Sequence, residues 1–482
     1  MKSFARVRSQ VLPTWIWFAI GGAGLLATFA FTTLETLPVV FPLIVQATAC
    51  ATLLAVLWWR RRGHLPWFEI GVVYAAIVLV YGAYPLIKFF VVGPDYFSPQ
   101  NDSRWSALRP STTEVAAIAW CYAAHLVAFA AMYLAVRGRL KEEPPDVRPP
   151  GVPVMIAALA AYVLIQVFWV LLGLFYDTSA GSYLETYLVG QRLPLIFAQL
   201  LNHLNGARYP LAIILLIGLF ARYPSSRWLI LGWIAVVGVL TFIRVGNRTE
   251  MALLVLSAAM LYHLMVRPIP PARIAFGVAI GIVFFIGFGM FRAGLAGGSW
   301  NPFLQPAEFD VLFGSAVELQ RANANGSVGA LSPAFYLTDF AALLPQQIAP
   351  FQKVDPAVWY VTTFYPEYAA TGGGLAFGTM AEAVLTGGWL SAAVRGGLLG
   401  LCFASVHRFC VRRRSYWVLA FYVWVTTLCY QSFRATTFYL LMLFVFRFMP
   451  VMVGVKIVAA ALNSTARRMK GRMPVMMSPE RR

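Results

Sequence analysis

The sequence GGGLAFGTMAEAVLTGGW (residues 372–389) closes the longest polar segment of the chain, which runs from Arg292 to Gly388, and leads into an apolar run. Apolar runs occupy most of the remaining chain, since 60% of the 482 residues are hydrophobic and 12% are charged. This composition leaves too little polar material to cover a soluble globular protein. The sequence therefore predicts an all-α polytopic membrane protein that holds a long polar segment at one membrane face.

A helix that crosses a membrane needs about 20 mainly apolar residues. This criterion predicts about 12 transmembrane helices in a single integral membrane domain, residues 1–482. The predicted spans lie near residues 13–33, 37–59, 68–92, 113–136, 152–175, 209–221, 228–243, 251–266, 275–291, 379–405, 416–431 and 436–449. The first span is predicted to be uncleaved, because its apolar run is longer than the roughly 7–15 residues of a signal peptide.

The basic residues predict the orientation of these spans. Most of the 38 Lys and Arg residues fall in short clusters between apolar runs, as the positive-inside rule predicts for cytoplasmic ends. The net charge of +19 therefore indicates membrane topology and no nucleic acid partner. Both termini are predicted to be cytoplasmic, with residues 450–482 as a basic cytoplasmic tail. On the periplasmic side we predict an amphipathic segment, residues 176–208, and a large, partly helical loop, residues 292–378.

Four arginines lie close to predicted helix ends on the outer side: Arg244, Arg248, Arg292 and Arg434. Ionisable residues at membrane depth are costly and usually functional. A guanidinium stays charged and offers a planar set of donors that suits phosphate oxygens. The set therefore indicates an anionic, lipid-linked ligand. A second interpretation stays open, in which each arginine contacts ordinary phospholipid headgroups.

Among the outer carboxylates, Glu382 follows the glycine-rich run and begins a helix. It is a candidate general base, although a carboxylate there can also serve as a partner of the helix dipole. Asp339 is a candidate for capping a helix or contacting sugar hydroxyls. Arg395 falls in the same predicted span as Glu382, about 20 Å further along at about 1.5 Å per residue. We therefore expect Arg395 to serve a different site or a structural pair within the membrane.

No motif for a metal or cofactor is present in the sequence. The run Gly372-Gly373-Gly374 is not followed by Gly-Lys-Ser, which argues against a phosphate-binding P-loop. The five cysteines have no CxxC spacing, so neither a zinc site nor a disulfide framework is indicated. We expect a site without metal or cofactor.

The late part of the chain resembles a known family. The glycine-rich run, Glu382 and the sequence LTGGW (385–389), which leads to GGLLG (396–400), resemble the late signature of bacterial O-antigen (oligosaccharide repeat unit) polymerases of the Wzy type. The turn at residues 246–248 is similar to the Gly-x-Arg turn of those proteins, and Arg434 also has a counterpart. The resemblance covers mainly residues 230–450. It implies a membrane glycosyltransferase fold of the C type in a bacterial inner membrane.

The same resemblance implies a function. Such polymerases join undecaprenyl-diphosphate-linked repeat units into a surface polysaccharide, an O-antigen or exopolysaccharide, at the outer leaflet without metal. The resemblance implies that Arg248, Arg292 and Arg434 bind the donor diphosphate and that Glu382 positions or deprotonates the acceptor hydroxyl. Arg192 and Arg321 are second-rank candidates for the acceptor diphosphate. From the residues themselves, Arg244 joins the diphosphate-binding candidates and Asp339 the catalytic ones. The implied partners are the lipid-linked donor and acceptor, membrane lipids, a chain-length regulator and a flippase.

Two other classes of function compete with this one. A transporter or flippase of lipid-linked oligosaccharide could use the same outer arginines, but it would favour polar residues and broken helices near the middle of the membrane. Apart from Arg395 and scattered glycines, such features are scarce in the sequence. A mannosyltransferase with its catalytic acid in the first outer loop is disfavoured, because Leu34-Glu35-Thr36 leaves little room for a sugar site.

Overall fold

The computed structural model describes residues 37–60, 67–93, 108–138, 148–176, 193–223, 248–274, 308–328, 355–370, 374–413 and 415–472, with a few isolated positions between them. The regular structure in these residues is helical, and seven helical stretches are long and apolar enough to cross a membrane. The prediction of a polytopic helical membrane protein is confirmed to this extent. The predicted spans near 13–33 and 228–243, and most of the one near 275–291, lie outside the described residues.

The helices in chain order are α1 (Leu37–Arg60), α2 (Ile70–Val92), α3 (Thr112–Arg137), α4 (Val152–Phe175), α5 (Leu195–Arg222), α6 (Arg248–Leu261), α7 (Glu308–Ala324), α8 (Pro356–Phe364), α9 (Pro366–Ala370), α10 (Thr379–Thr386), α11 (Gly388–Val411), α12 (Tyr416–Leu428), α13 (Gln431–Arg434), α14 (Tyr439–Leu443) and α15 (Met449–Arg472). Two π-helical turns, Tyr262–Val266 and Phe444–Phe448, extend α6 and join α14 to α15. The seven candidate spans are α1 to α5, α11, and α14 with α15.

The first four candidate spans, α1 to α4, coincide with predicted spans, whereas α5 differs from the prediction. It is one continuous helix from Leu195 to Arg222, and it includes part of the predicted amphipathic segment as well as the span predicted near 209–221. Pro210 lies inside this helix, where proline removes a backbone hydrogen bond. The following residues, 211–217, are all buried, so packing holds the helix together across the proline.

The last predicted span, near 436–449, is the first part of a longer helical run. The chain passes through the π-helical turn and continues as α15 to Arg472, so the predicted tail begins as a helix. This run packs on α4 and α5. Residues 450–462 are apolar except for Lys456, and the candidate span accordingly runs from Tyr439 to Thr465, into the predicted tail.

Helices α3 and α11 form the most extensive interface between helices in the described part of the chain. A Cβ atom at Gly396 would overlap the backbone carbonyl of His125, and one at Gly400 would lie 2.5 Å from the carbonyl oxygen of Phe129. Small residues four positions apart allow this close approach of two helix backbones in a membrane. The α3–α11 pair forms the centre of the bundle, and α1, α2 and α10 pack on α3.

A buried polar cluster joins four elements at the predicted cytoplasmic end of this pair. Glu69, the N-cap of α2, accepts hydrogen bonds from Arg137 Nε at 3.0 Å and Nη2 at 3.2 Å, and from the Tyr133 hydroxyl at 2.8 Å. His407 Nε2 lies 3.7 Å from the same carboxylate, and His407 Nδ1 is 2.8 Å from the Tyr422 hydroxyl. The cluster therefore links the start of α2 and the last turns of α3 and α11 to the middle of α12.

Helix α7 belongs to the predicted outer segment and is fixed on the bundle by two ion pairs. Lys88 Nζ of α2 lies 2.6 Å from Asp310 Oδ2, and both side chains are buried. Arg321 pairs with Glu114 near the start of α3. A second hydrophobic cluster packs α7, α8 and α10 together through residues that include Leu319, Tyr360, Val361, Phe377 and Leu385. The helices of the predicted outer segment are thus joined to the bundle through α7 and α10.

Adjacent glycines in α11 provide a matched test of this packing. Gly396→Ala should destabilise the fold by about 1–3 kcal/mol, because the added methyl meets backbone atoms that cannot rotate away. Gly397→Ala places its methyl only 3.5 Å from Met132 Cγ, an ordinary contact, and should be neutral or stabilising through better helix propensity. Thermal unfolding of the two purified variants measures the difference. Equal melting temperatures would contradict the close α3–α11 approach.

Candidate functional site

A helix break at Gly387 and Gly388 organises the site. Helix α10 ends at Thr386, the two glycines take φ angles of 141° and 61°, and α11 begins at Gly388. Residues with a side chain rarely adopt such angles, so the break depends on glycine. The prediction of one continuous span near 379–405 is therefore wrong.

The break brings the side chains of Glu382 and Arg395 together. Arg395 Nη1 lies 2.5 Å from Glu382 Oε2, and each side chain is 1% exposed. The same carboxylate oxygen accepts hydrogen bonds from the backbone N–H of Thr437 at 3.0 Å and from its hydroxyl at 2.7 Å. The predicted separation of about 20 Å is wrong, because it assumes a rise of about 1.5 Å per residue through an unbroken helix.

Further hydroxyl groups complete this buried cluster. Arg395 Nη1 also donates to Thr437 Oγ1 at 2.6 Å, and Arg395 Nε lies 3.4 Å from Ser391 Oγ. Thr386 Oγ1 donates to the backbone carbonyl of Glu382 at 2.7 Å and lies 2.7 Å from Ser391 Oγ. The cluster therefore joins both sides of the helix break to the loop before α14.

His125 of α3 binds the backbone of α11 next to the cluster. Its Nδ1 is 3.1 Å from the carbonyl oxygen of Ala392 in α11, and its Nε2 is 2.9 Å from the Tyr74 hydroxyl. Because a carbonyl oxygen can only accept, Nδ1 carries the proton and Nε2 accepts from Tyr74. The ring is fully buried and also contacts Phe433. The hydrogen bond from Nδ1 thus ties His125 to α11 at the turn that carries Arg395.

Arg434, a predicted ligand of the donor diphosphate, lies in the short helix α13 beside this cluster. Thr379 Oγ1 of α10 donates to the carbonyl oxygen of Ser432 at 2.8 Å, and Thr437 binds Glu382 from the other side of α13. Ser432 and Phe433 are buried, whereas Arg434 is half-buried. The structure therefore brings the chain segments of Glu382 and Arg434 together.

Arg321, a predicted ligand of the acceptor diphosphate, is bound to a carboxylate of the protein. Its Nε donates to Glu114 Oε1 at 2.7 Å and its Nη2 donates to Oε2 at 2.9 Å, with a further bond from Nη2 to the carbonyl oxygen of Arg109 at 3.3 Å. Glu114 also forms a capping box with Ser111 at the start of α3. This bidentate geometry fixes α7 on α3, and the predicted role of Arg321 in binding substrate stays a prediction.

The other predicted site residues are not placed by the structure. Arg192, Arg244, Arg292 and Asp339 lie outside the described residues. Arg248 is the first residue of α6, and only its backbone is described. The roles assigned to these residues stay predictions.

A cavity of about 1190 Å³ opens beside the helix break, and we refer to it as the side cavity. It is bounded by α1, by one face of α3, by the end of α7 and by residues 384–389. Trp120 and Trp389 line it and are 39% and 62% exposed. Gln320 and Asn323 of α7 contribute its amide groups. Helix α10 therefore contacts the turn of Arg434 at its beginning and borders the side cavity at its end.

Glu318 of α7 lies between two tyrosines in the second hydrophobic cluster. The Tyr360 hydroxyl donates to its Oε2 at 2.5 Å, and the Tyr365 hydroxyl is 2.9 Å from both carboxylate oxygens. Burial raises the pKa of Glu318 above its ordinary value of 4.5, although the two tyrosine hydrogen bonds lower it in part. The sequence also allows a surface pair of Glu318 with Arg321, but each takes different hydrogen-bond partners.

Comparison of the chain with protein families, with curated proteins and with solved structures found no match. Within the described part of the chain, no three His, Cys, Asp or Glu residues are grouped in a way that could hold a metal ion. The fold and the contacts define a multi-pass membrane protein with a buried polar cluster at a helix break. Sequence reasoning missed Thr437 and His125, and the one available signal was Arg395, a charge inside an apolar run that needs a partner.

The Glu382–Arg395 pair can be tested by single and double substitution. Arg395→Met or Glu382→Gln should each destabilise the protein by about 3–5 kcal/mol, because each leaves a buried charge without its partner. The double variant should recover much of this loss. Thermal unfolding in detergent gives the readout, and Arg412→Met, an exposed arginine at the end of the same helix, is the control. Additive losses in the double variant would contradict the pairing.

The raised pKa of Glu318 predicts that the stability of the fold depends on pH. Because its pKa is raised in the fold, the folded chain binds a proton there more tightly than the unfolded chain. This stabilisation is full below the ordinary pKa of 4.5 and is lost as pH rises through the raised value. The melting temperature of wild type minus that of Glu318→Gln should therefore increase as pH is lowered towards 4.5. A constant difference would show that this carboxyl does not titrate as described.

Proposed function

We propose that the chain is a membrane glycosyltransferase that polymerises lipid-diphosphate-linked oligosaccharide repeat units at the outer leaflet of a bacterial inner membrane. The observation that carries the proposal is the position of α10, which contacts the arginine-bearing α13 at one end and borders the side cavity at the other. A lipid-linked glycan presents the matching chemistry, an anionic diphosphate beside a long apolar chain and uncharged hydroxyls. The resemblance of residues 230–450 to repeat unit polymerases supports the same function.

In this proposal Arg434 binds the leaving diphosphate. A guanidinium stabilises the negative charge that develops on a diphosphate as its bond to the sugar breaks. Arg248, Arg292 and Arg244 belong to the same group on the predicted outer face. The leaving group then needs no metal ion for charge neutralisation, provided that several arginines converge on it.

Glu382 has a positioning role in this proposal. Its Oε2 already accepts three hydrogen bonds, one of them from a guanidinium, so it is poorly placed to take a proton from an acceptor hydroxyl. Its contacts instead hold α10 between Arg395 and Thr437. The other predicted catalytic carboxylate, Asp339, is then the candidate base.

A transporter or flippase of lipid-linked oligosaccharide is the second candidate, and the helix break favours it. Transporters place substrate and ion sites at discontinuous spanning helices, and α10 and α11 are interrupted at glycines next to a buried charge pair. The extensive outer helices α7 to α9 favour the polymerase, because they provide a surface for a second glycan. The two candidates differ in the product, which is longer glycans in one case and translocated lipid in the other.

The decisive experiment supplies purified protein in vesicles with lipid-diphosphate-linked repeat units extracted from the cells that make it. A ladder of longer glycans on a gel is expected for wild type. Arg434→Ala should abolish the ladder because it removes a charge from the proposed diphosphate site, while Arg412→Ala, at the predicted cytoplasmic end of α11, should retain it. Lipid translocation without any ladder from wild type would favour the transporter and refute the polymerase.

A further inference from the structure

The side cavity differs from the proposed diphosphate site in the charge of its lining residues. None of its lining residues in the described part of the chain is charged. Its walls are formed mainly by small or apolar side chains, among them Val45, Ala117, Ala124 and Val127. A diphosphate would have no cation to pair with there, and isolated charges are costly to bury. The side cavity therefore suits an uncharged part of a ligand.

Gln320 supplies the polar feature that specifies the ligand. Gln320 lines the cavity, and its Oε1 is buried and has no hydrogen-bond partner among the described residues. Buried amide groups in folded proteins are nearly always hydrogen-bonded, so this atom indicates a missing donor. The amide can rotate by half a turn and present its NH₂ group instead, and a hydroxyl satisfies both orientations because it donates and accepts. The ligand is thus expected to carry a hydroxyl group at this point.

The surroundings of Gln320 suit a sugar. Asn323 lies about one turn further along α7 and adds a second amide to the same wall. The indole rings of Trp120 and Trp389 contribute flat, apolar and partly exposed surfaces. Aromatic faces pack against the apolar faces of sugar rings, while amides bind the hydroxyls at their edges.

The apolar side of the cavity suits a hydrocarbon chain. Helices α1 and α3, which form that wall, are both long and apolar enough to cross a membrane, where lipid would surround their exposed faces. A hydrocarbon chain gains little from leaving lipid for an apolar wall, and its binding needs a polar contact to be selective. The amide groups of α7 provide such a contact at one end of the wall.

We infer that the side cavity binds a hydroxyl-bearing glycolipid, with its sugar at Gln320 and its chain along the wall of α1 and α3. This inference rests on the proposed function in one respect: under that function, the glycolipid is the acceptor. The acceptor is then bound at a different place from the donor diphosphate. Gln320 acts as the residue that selects a hydroxyl-bearing headgroup. A phospholipid without hydroxyls is the competing occupant.

A pair of photoreactive lipids tests the inference on the full-length protein in detergent. One probe is an alkyl glucoside with a diazirine in its chain, and the other is an alkyl phosphocholine with the same chain. The glucoside probe should label peptides from α3 and from residues 384–390 at lower concentration than the phosphocholine probe. Equal labelling by the two probes would overturn the inference and identify a general lipid groove.

Two variants on different helices locate the binding. Gln320→Leu should weaken glucoside labelling roughly two- to tenfold, the loss expected for one neutral hydrogen bond, and should leave phosphocholine labelling unchanged. Ala124→Trp fills the cavity and should abolish labelling of these peptides by both probes. Unchanged glucoside labelling in either variant would overturn the inference. Thermal unfolding of each variant shows whether it is folded. If Gln320→Leu does not fold, Ala124→Trp still tests the inference.

This experiment can fail separately from the proposed function. If glycan ladders form but the glucoside probe shows no preference, the inferred site is wrong and the polymerase proposal stands. If the probe behaves as expected but wild type forms no ladder, the site binds glycolipid and the polymerase proposal is wrong.

Discussion

The ion pair between Glu382 and Arg395 makes a broken helix possible in the apolar interior of this protein. A lone guanidinium or carboxylate buried at that depth costs several kcal/mol or more, whereas a paired and hydrogen-bonded couple costs far less. Gly387 and Gly388 allow the helix to break, but glycine permits many conformations and selects none. The pair favours the observed arrangement of α10 on α11, because this arrangement brings the two buried charges within hydrogen-bond distance.

Other buried charges in the bundle are also paired with a charge of opposite sign. Glu69 and Arg137 are fully or almost fully buried and bind each other near the predicted cytoplasmic end, and Lys88 and Asp310 do so where α7 meets α2. Each of these pairs joins segments that are far apart in sequence. Between apolar helices in lipid, hydrophobic burial scarcely distinguishes one register from another, so charge pairing and close glycine contacts carry more of the specificity.

The arrangement separates two kinds of chemistry around α10. The beginning of this helix meets the turn that carries the positively charged Arg434, and its end borders the uncharged side cavity. Glu382 lies between them and is fully engaged by Arg395 and Thr437. An amphiphilic ligand with an anionic and a neutral part matches this division. Arg321, in contrast, is engaged by Glu114 and contributes to anchoring α7.

The sequence by itself determined the membrane class and most of the spanning helices, because a continuous apolar run of about 20 residues is a local property that needs no knowledge of neighbours. It also singled out Glu382, Arg395 and the glycines at 387–388 as unusual. Only the tertiary structure decided that Glu382 and Arg395 pair, that Thr437 and His125 support them, and that Arg321 binds Glu114. Glu382 and Arg395 meet through a helix break that hydropathy does not reveal. The other contacts join residues far apart in sequence, and hydropathy reports the depth of a residue but not which helix faces it.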